Sequence, residues 1–282
     1  EGLVRPRAAF LPSDPKGPLL SMSDHSLIDT HAHIQFDHFE DDRDAVVRRA
    51  AEAGVKAIIC VGTDLQSSME AIALAQQYAS VAAAVGIQPA SVPEMDEEDW
   101  GELARVAAGA DICAVGESGL DPTYEWSPME GQRRLFERHI ELSAQTGKPL
   151  IVHCRKAGKH VLDMLESARG QIAGVQHCFS EDVAYARRIL DLGFYISFTG
   201  IISRKGYKRL KEAAAFTPAE RLLVETDCPY MTPVGAASKR NEPANVGLVL
   251  EALASLRGEE ARELARRTTE NAERLFGLNQ NN

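Results

Sequence analysis

The chain contains 282 residues, of which 44% are hydrophobic and 26% are charged. This composition excludes an intrinsically disordered chain, a collagen-like chain and a small disulfide-framed domain, and it suffices for one large domain or two ordinary ones. The 31 Lys and Arg residues against 41 Asp and Glu residues give a formal net charge of −10. This balance excludes a broadly basic surface for duplex DNA, so a polyanionic ligand would need positive charge concentrated locally, for instance by bound metal.

Residues 1–26 are predicted to lie outside the fold, as a disordered or non-native extension. Four of the thirteen prolines fall within residues 1–21, where neither a helical nor a strand period is visible. The segment lacks the pattern of a secretory signal, and no apolar run in the chain reaches the roughly 18 residues that a membrane helix needs. We therefore expect one domain over residues 27–282 and no membrane partner.

From residue 27 onward, short apolar runs alternate with longer amphipathic stretches. Continuous apolar runs are typical of parallel strands that are covered on both faces. The predicted strands are Leu27–His31, Val55–Val61, Val81–Gly86, Ile112–Glu117, Leu150–His153, Gly174–His177, Phe194–Phe198 and Arg221–Thr226. Eight strand–helix units predict an α/β fold, the (β/α)8 TIM barrel. An open doubly wound sheet is the alternative, although no GxGxxG motif follows the first strand.

Helix boundaries are indicated by glycines and by one capping motif. Gly54 and Gly147 are predicted to lie at the ends of the first helix and of a long helix in the middle of the chain. Ser127–Glu130 has the sequence of a capping box with Pro128 at the first helical position, so Ser127 is predicted to cap the long helix.

The five cysteines are odd in number and contain no CxxC spacing. They lie within apolar runs or within two residues after them. This distribution favours reduced thiols in a cytoplasmic protein over a disulfide framework or a zinc-cysteine site.

Residue types that bind metals stand at the ends of five predicted strands. His31 and His33 are two positions apart on the first strand, where alternate side chains share a face. Alone, this pair could equally be two surface histidines. Equivalent positions in later strands carry further candidates, namely Glu117, His153, His177 and Asp227. Because all strand ends meet at one face of a barrel, the sequence predicts that these six side chains form a binuclear metal site.

The donor atoms indicate which cations the site would hold. Imidazole nitrogen and carboxylate oxygen suit two divalent metal ions such as Zn²⁺, Mn²⁺ or Mg²⁺, with Mg²⁺ the poorest match to histidine. Two such ions can activate a water molecule and hold both the attacking and the leaving oxygen of a displacement. Their charge exceeds that of Glu117 and Asp227, so the predicted site is locally cationic despite the acidic chain.

At these residues the sequence resembles the TatD family of metal-dependent deoxyribonucleases, within the amidohydrolase-type barrels. The similarity extends from about Leu27 to Leu278 and rests on Asp29–His33, Gly116–Asp121, Ile151–Arg155, His177–Ser180, Glu225–Pro229, Asn241–Pro243 and Thr268–Ala272.

The resemblance implies a role for each candidate ligand. One metal would be held by His31, His33 and Asp227, and the other by His153 and His177. Glu117 would bridge the two metals, and Asp227 would also act as general base. Glu225 resembles a family acidic residue near the site, and the alternative is a buried carboxylate that only orients a neighbouring group.

The sequence indicates the residues that contact substrate less specifically than it indicates the metal ligands. Arg155, Lys156 and Arg204 are predicted to bind phosphates, and Lys205, Lys239 and Arg240 are further candidates. A charge run such as Arg204–Arg209 is equally typical of a solvated helix face. Tyr124 and Trp126 could stack on a base or simply cover the barrel. Gln88 stands where the family usually has histidine, and its amide cannot deliver a proton near neutral pH, so an acid role there is in doubt.

Three functions follow from these patterns. The first is metal-dependent hydrolysis of phosphodiester bonds in DNA, with single strands or 3′ ends as substrates. The second is hydrolysis of an amide, a lactone or an aminoacyl-tRNA ester by the same site, because hydroxide attack uses the same groups. The third is a non-enzymatic metal-dependent scaffold. No obligate protein partner is inferred, and a monomer is expected rather than an oligomer.

Overall fold

The computed structural model describes residues 26–278, so the predicted extension, apart from Ser26, lies outside the described residues. Eight parallel strands form one sheet in which neighbours in sequence are neighbours in space. The strands are β1 Leu27–Ala32, β2 Val55–Val61, β3 Val81–Val85, β4 Ile112–Leu120, β5 Leu150–Cys154, β6 Gly174–Gln176, β7 Tyr195–Phe198 and β8 Leu222–Val224. The TIM-barrel prediction is confirmed.

The barrel is closed where β1 meets the segment that follows β8. Ala32 forms a parallel bridge with Cys228. The N–H of His33 donates to the carbonyl of Cys228 at 2.9 Å, and the N–H of Asp227 donates to the carbonyl of His31 at 2.8 Å. The open doubly wound sheet is therefore wrong. This closure brings the two chain segments that carry His31 and Asp227 side by side.

Helices cover the outside of the barrel. Within residues 26–278 they are α1 Arg43–Glu52, α2 Leu65–Gln77, α3 Glu97–Ala107, α4 Met129–Thr146, α5 Gly158–Ser167, α6 Val183–Asp191, α7 Lys208–Phe216, α8 Val246–Arg257 and α9 Ala261–Phe276. Gly54 and Gly147 lie just beyond α1 and α4 with φ of 82° and 67°, which only glycine adopts without strain. None of the helices in this part of the chain has both the length and the apolar character to cross a bilayer.

The apolar core has two parts. The larger part lies between the strands and the surrounding helices. The smaller part fills the barrel interior, with side chains such as Ile28, Ile59 and Ile151, and it includes Ala272 and Phe276 of α9. Since β1 begins at Leu27 beside this cluster, α9 packs against the end of the barrel where the strands start. The opposite end, where the strands finish, carries the predicted ligands.

Seven of the eight predicted strands differ from the structure by one to three residues at an end, and two differences in this part of the chain have a clear physical cause. The strand predicted to end at Glu117 continues to Leu120, because Ser118–Leu120 pair with β5. The capping box at Ser127 is wrong: Pro128 occupies the N-cap position, and the hydroxyl of Ser127 donates to the carbonyl oxygen of Pro89 instead. The capping motif is a local pattern, and a tertiary contact with the loop after β3 has replaced the local hydrogen bond.

Candidate metal centre

The two histidines at the end of β1 face each other at short range. The Nε2 atoms of His31 and His33 lie 3.2 Å apart, and both side chains are buried. Nδ1 of His33 lies 2.8 Å from the carbonyl oxygen of Val61, which fixes a proton on Nδ1 and leaves the lone pair on Nε2. Nitrogen atoms so arranged are suited to share a cation.

Glu117 divides its two carboxylate oxygens between two pairs of histidines. Oε2 lies 3.4 Å from Nε2 of His31 and 3.7 Å from Nε2 of His33. Oε1 lies 2.8 Å from Nδ1 of His153 and 3.3 Å from Nε2 of His177. A carboxylate that bridges two cations needs this division, with one oxygen directed to each ligand set.

The carboxylate of Asp227 lies near the same two histidines as Oε2 of Glu117. Its Oδ1 lies 3.5 Å from Nε2 of His33 and 3.9 Å from Nε2 of His31. The backbone of Asp227 has φ of 54°, and that of Cys178, beside His177, has φ of 43°. Non-glycine residues pay of order 1 kcal/mol or more for this left-handed conformation, which tends to occur at functional sites.

Within residues 26–278, three overlapping groups of side chains have donor atoms close enough to hold one cation each. Within each group the donor atoms lie within 4.8 Å of one another: His31, His33 and Asp227; Glu117, His153 and His177; and His31, His177 and Glu225. The first two groups together contain all six side chains that the sequence analysis proposed as ligands. The structure therefore brings the six together at one end of the barrel.

Glu225 is fully buried directly after β8. One of its oxygens, Oε1, accepts a hydrogen bond from the backbone N–H of Cys178 at 2.6 Å and lies 3.5 Å from Nδ1 of His177. Of the two interpretations left open by the sequence, this geometry favours a buried carboxylate that orients His177, because Nε2 of the same ring faces Glu117.

Two further carboxylates support the ligands, and neither was predicted from the sequence to have a role of its own. Oδ2 of Asp121 lies 3.3 Å from Nε2 of His153, and Oδ1 accepts a hydrogen bond from the N–H of Thr123 at 2.8 Å. Asp29 accepts hydrogen bonds from the N–H and the hydroxyl of Thr226, and burial raises the pKa of Asp29 to about 8. Asp29 belongs to the motif Asp29–His33, and Asp121 belongs to the motif Gly116–Asp121. Each motif also contains a proposed ligand, and this proximity in sequence could have identified both carboxylates.

The charges of the cluster are strongly interdependent. Burial raises the pKa of Glu117, but the charge of His177 and the hydrogen bonds from its histidine neighbours outweigh burial and hold that pKa well below its usual range. Burial lowers the pKa of His177, but the carboxylates of Glu117 and Glu225 raise it well above its usual range. The centre thus favours an ionised Glu117 with compensating positive charge beside it.

The residues fit a pair of divalent cations by two criteria. First, the converging donors are imidazole nitrogens and carboxylate oxygens, the ligands of Zn²⁺ and Mn²⁺. Second, the donor atoms of each ligand set lie within 4.8 Å of one another. Three further buried atoms of the cluster, none of them a donor that faces Glu117 or Asp227, have no hydrogen-bond partner among residues 26–278: Nδ1 of His31, Nδ1 of His177 and Oε2 of Glu225. Buried polar atoms without partners are costly, so unpaired atoms grouped at one site are typical of a site whose bound groups complete it.

The residues proposed to bind substrate follow strands at this same end of the barrel. Arg155 and Lys156 are exposed directly after β5. Arg204, after β7, donates from Nη2 to the carbonyl of Thr232 at 3.0 Å. Gln88 follows β3 and is half-buried, and its carboxamide makes no hydrogen bond within residues 26–278.

Arg240 is not free to bind phosphate, in contrast to the expectation from sequence. Its guanidinium donates to both carboxylate oxygens of Asp42, at 2.7 and 2.8 Å, and to the carbonyl of His38. It also lies 4.7 Å from the ring centre of Phe39. Arg240 therefore fastens the loop after β8 to the loop after β1.

Known proteins have similar sequences over almost the whole of this chain. A family model described as TatD related DNase matches residues 28–277. The chain is 37% identical over 254 residues to an uncharacterized metal-dependent hydrolase, YabD, of Bacillus subtilis, with 90% of this chain and 100% of the relative covered. It is 36% identical over 259 residues to a 3′-5′ ssDNA/RNA exonuclease TatD of Citrobacter koseri, with 89% and 99% covered.

The fold agrees with the sequence comparison. The crystal structure of YjjV, a TatD homologue from Escherichia coli, superposes with a TM-score of 0.84 at 31% identity and covers 89% of this chain and 98% of its own. A TatD-family hydrolase from Entamoeba histolytica superposes with a TM-score of 0.83 at 23% identity, with 89% and 98% covered, which bears on the fold alone. From these matches together, the chain belongs to the TatD family of metal-dependent hydrolases.

Proposed function

We propose that this protein hydrolyses phosphodiester bonds in DNA, with single strands or 3′ ends as substrates, by means of two divalent metal ions. The observation that carries the proposal is the division of the Glu117 carboxylate between two pairs of histidines. That arrangement supports two cations at the short separation used by phosphoryl-transfer enzymes.

Each acidic residue has a distinct part in the proposed mechanism. When bound, the two cations lower the pKa of water and offset the charge of the phosphate. Asp227 accepts a proton from the attacking water as general base. Glu117 fixes the separation of the two ligand sets, and Glu225 keeps Nε2 of His177 directed at Glu117 by its contact with Nδ1.

Single-stranded DNA is the substrate form that best suits the surface. A net charge of −10 provides no basic groove for a duplex, whereas a single strand can be held by a few cationic groups near the metals. In the proposal Arg155, Lys156 and Arg204 contact phosphates, and Gln88 donates a hydrogen bond from its free amide. The name of the Citrobacter relative supports the same substrate class.

The cellular setting belongs to the proposal as well. All five cysteines are free thiols, and three of them are buried. Burial raises the pKa of the Cys60 thiol to about 12, so it stays protonated and unreactive. We infer a cytoplasmic location from these reduced thiols.

The test is cleavage of a 5′-labelled single-stranded oligonucleotide by purified protein supplied with Mg²⁺, Mn²⁺ or Zn²⁺. We expect cleavage that chelation abolishes and that metal restores. Glu117→Gln and Asp227→Asn should abolish turnover, whereas Glu125→Gln, which changes an exposed carboxylate after β4, should not.

A substrate panel separates the proposal from the other hydrolytic function. An activated ester, a lactone and an aminoacyl-tRNA are assayed beside the oligonucleotide under the same metal conditions. Metal-dependent turnover of one of these without any phosphodiester cleavage would replace the proposal. Metal binding without turnover on any substrate would favour a non-enzymatic scaffold.

A further inference from the structure

Charge is distributed unevenly around the end of the barrel that carries the metal centre. The loops after β1 and β3 carry exposed carboxylates that form no ion pair within residues 26–278: Asp37, Glu40, Asp41 and Glu94. The loops after β5, β7 and β8 carry exposed cationic side chains that likewise have no carboxylate partner in the described chain: Arg155, Lys156, Arg204, Lys205 and Lys239. A polyanion is therefore repelled by the loops after β1 and β3 and attracted by the loops after β5, β7 and β8.

The loops after β7 and β8 form one continuous surface, the β7–β8 rim, which comprises residues 200–207 and 230–240. The N–H of Val234 donates to the hydroxyl of Ser203 at 2.8 Å. The hydroxyl of Thr232 donates to the carbonyl of Lys239 at 2.6 Å, and Thr232 also receives the hydrogen bond from Arg204. These contacts connect the two loops and hold their backbones beside each other.

Exposed aromatic and apolar side chains also occur on this rim. The described residues include five exposed large hydrophobic side chains, and three of them are Tyr207, Tyr230 and Val234, which are 50%, 48% and 64% exposed. Tyr230 connects the rim to the metal centre, because its N–H donates to the carbonyl of Asp227 at 2.9 Å. Its ring is held edge-on to His38 at a centroid distance of 6.1 Å. Exposed rings beside unpaired cations are the features of a surface that binds single-stranded nucleic acid.

We propose that the β7–β8 rim binds the single-stranded DNA that extends away from the metal centre, with bases stacked on Tyr230 and Tyr207 and phosphates beside Lys205 and Lys239. This proposal rests on the proposed function and adds the path of the substrate to it. Stacking requires unpaired bases, so the rim selects single strands over duplexes. The acidic loops after β1 and β3 repel the phosphates of a strand that would leave the metal centre across them.

The first experiment measures binding, so that its result does not depend on turnover. Fluorescein-labelled oligothymidylates of 4 and 12 nucleotides with cleavage-resistant phosphorothioate linkages are titrated against the metal-loaded protein. The Lys205→Glu/Lys239→Glu variant should weaken binding of the 12-mer and reduce the salt slope of log K by about 0.7 for each lost phosphate contact. The matched control is Arg48→Glu/Arg262→Glu, which changes net charge equally at two exposed helical positions outside the rim.

The second experiment removes the rings. Tyr207→Ala and Tyr230→Ala should each weaken binding of the 12-mer about fivefold or more, whereas Tyr207→Phe and Tyr230→Phe should retain it, because stacking needs the ring and not the hydroxyl. Hydrolysis of bis(p-nitrophenyl) phosphate, which is too small to span the rim, should fall less in the rim variants than binding of the 12-mer does, and it should not change in the Arg48→Glu/Arg262→Glu control. This small substrate also reports on the metal centre itself.

The outcomes distinguish the two proposals. Unchanged affinity of the lysine and tyrosine variants for the 12-mer, or a loss equal to that of the control variant, would overturn the rim proposal while the proposed function stands. A wild-type protein that binds the 12-mer through the rim but cleaves no phosphodiester would overturn the proposed function alone. Equal affinity for the 4-mer and the 12-mer in the wild type would also refute the rim as a binding path.

Discussion

Oδ2 of Asp121 lies 3.3 Å from Nε2 of His153, on the imidazole edge opposite the nitrogen that faces Glu117. A carboxylate in this position fixes the orientation of a ligating histidine and increases its basicity. The contact joins two neighbouring strands at the metal centre. Glu117 lies in β4 and Asp121 directly follows it, whereas His153 lies in β5.

Asp121→Asn is expected to lower metal affinity by about 10- to 100-fold without unfolding the protein. The amide still accepts the hydrogen bond from Thr123 through Oδ1, but it loses the charge that polarises His153. Competition with a chromophoric chelator measures the affinity. Glu125→Gln, four positions further on, serves as control, and equal affinities of the two variants would contradict the role of Asp121.

Gly86→Ala is expected to destabilise the protein by about 1–3 kcal/mol and to disturb the metal centre. A Cβ atom at Gly86 would lie 2.4 Å from backbone atoms of Gly116 and 2.8 Å from the backbone nitrogen of Glu117, and backbone atoms cannot move aside cheaply. Gly101→Ala in α3 is the control, since a Cβ there meets nothing within 4 Å and should stabilise the helix by up to about 1 kcal/mol. Urea denaturation measures both effects, and wild-type stability of Gly86→Ala would show that the contact is not tight.

His139 is expected to make the protein less stable as the pH falls below 6.5. Burial lowers its pKa from 6.5 to about 4, and the neutral ring accepts a hydrogen bond from the N–H of Ile87 at 3.1 Å. As the pH falls, His139 binds a proton near pH 6.5 in the unfolded chain but only near pH 4 in the folded chain. Protonation therefore favours the unfolded chain, and the free energy of unfolding decreases as the pH falls from 6.5 to about 4. At pH 5 the loss is about 2 kcal/mol relative to pH 7.

The matched variant for His139 is His139→Gln, which keeps a donor and an acceptor but does not titrate. Denaturation curves at pH 7 and pH 5 should show that the wild type loses about 2 kcal/mol more than the variant. Parallel losses in the two proteins would mean that His139 does not govern this range and that other titrating groups do.

Gln88→Ala is expected to raise KM for oligonucleotides while the free energy of unfolding stays within about 0.5 kcal/mol of the wild type. The side chain of Gln88 forms no hydrogen bond within the described chain, so its removal breaks no structural contact. Gln88→His should add a further titration between pH 6 and 8 to the pH profile of the wild type, because imidazole titrates there and an amide does not. Unaltered KM in Gln88→Ala would exclude a substrate contact.

Much of the fold and the convergence of the ligands could be predicted from the sequence. Barrel topology places the ends of all parallel strands on one face, so His31, Glu117 and Asp227 are expected to meet there even though they are far apart in sequence. The period of the apolar runs identified the eight strands, with errors at their ends. The end of β4 was missed because pairing with β5 extends it, and this pairing is a tertiary property.

The contacts that orient each side chain could not be predicted in the same way. Nothing local indicates that Arg240 pairs with Asp42, 198 positions away, instead of remaining free for phosphate. The same holds for Glu225, whose contact with His177 depends on how β6 and β8 are placed in the barrel. Ser127 shows the opposite error, in which a strong local motif was overridden by a contact with Pro89.

The position of α9 has a practical consequence for assay design. Ala272 and Phe276 belong to the cluster that fills the barrel interior, and the hydroxyl of Thr269 donates to the carbonyl of Ser26, next to the first residue of β1. Residues 26 and 278 therefore both lie at the end of the barrel where the strands start, opposite His31, His33, His153 and His177. Attachment to a sensor chip at either position would leave the candidate metal centre and the β7–β8 rim accessible to oligonucleotides in solution.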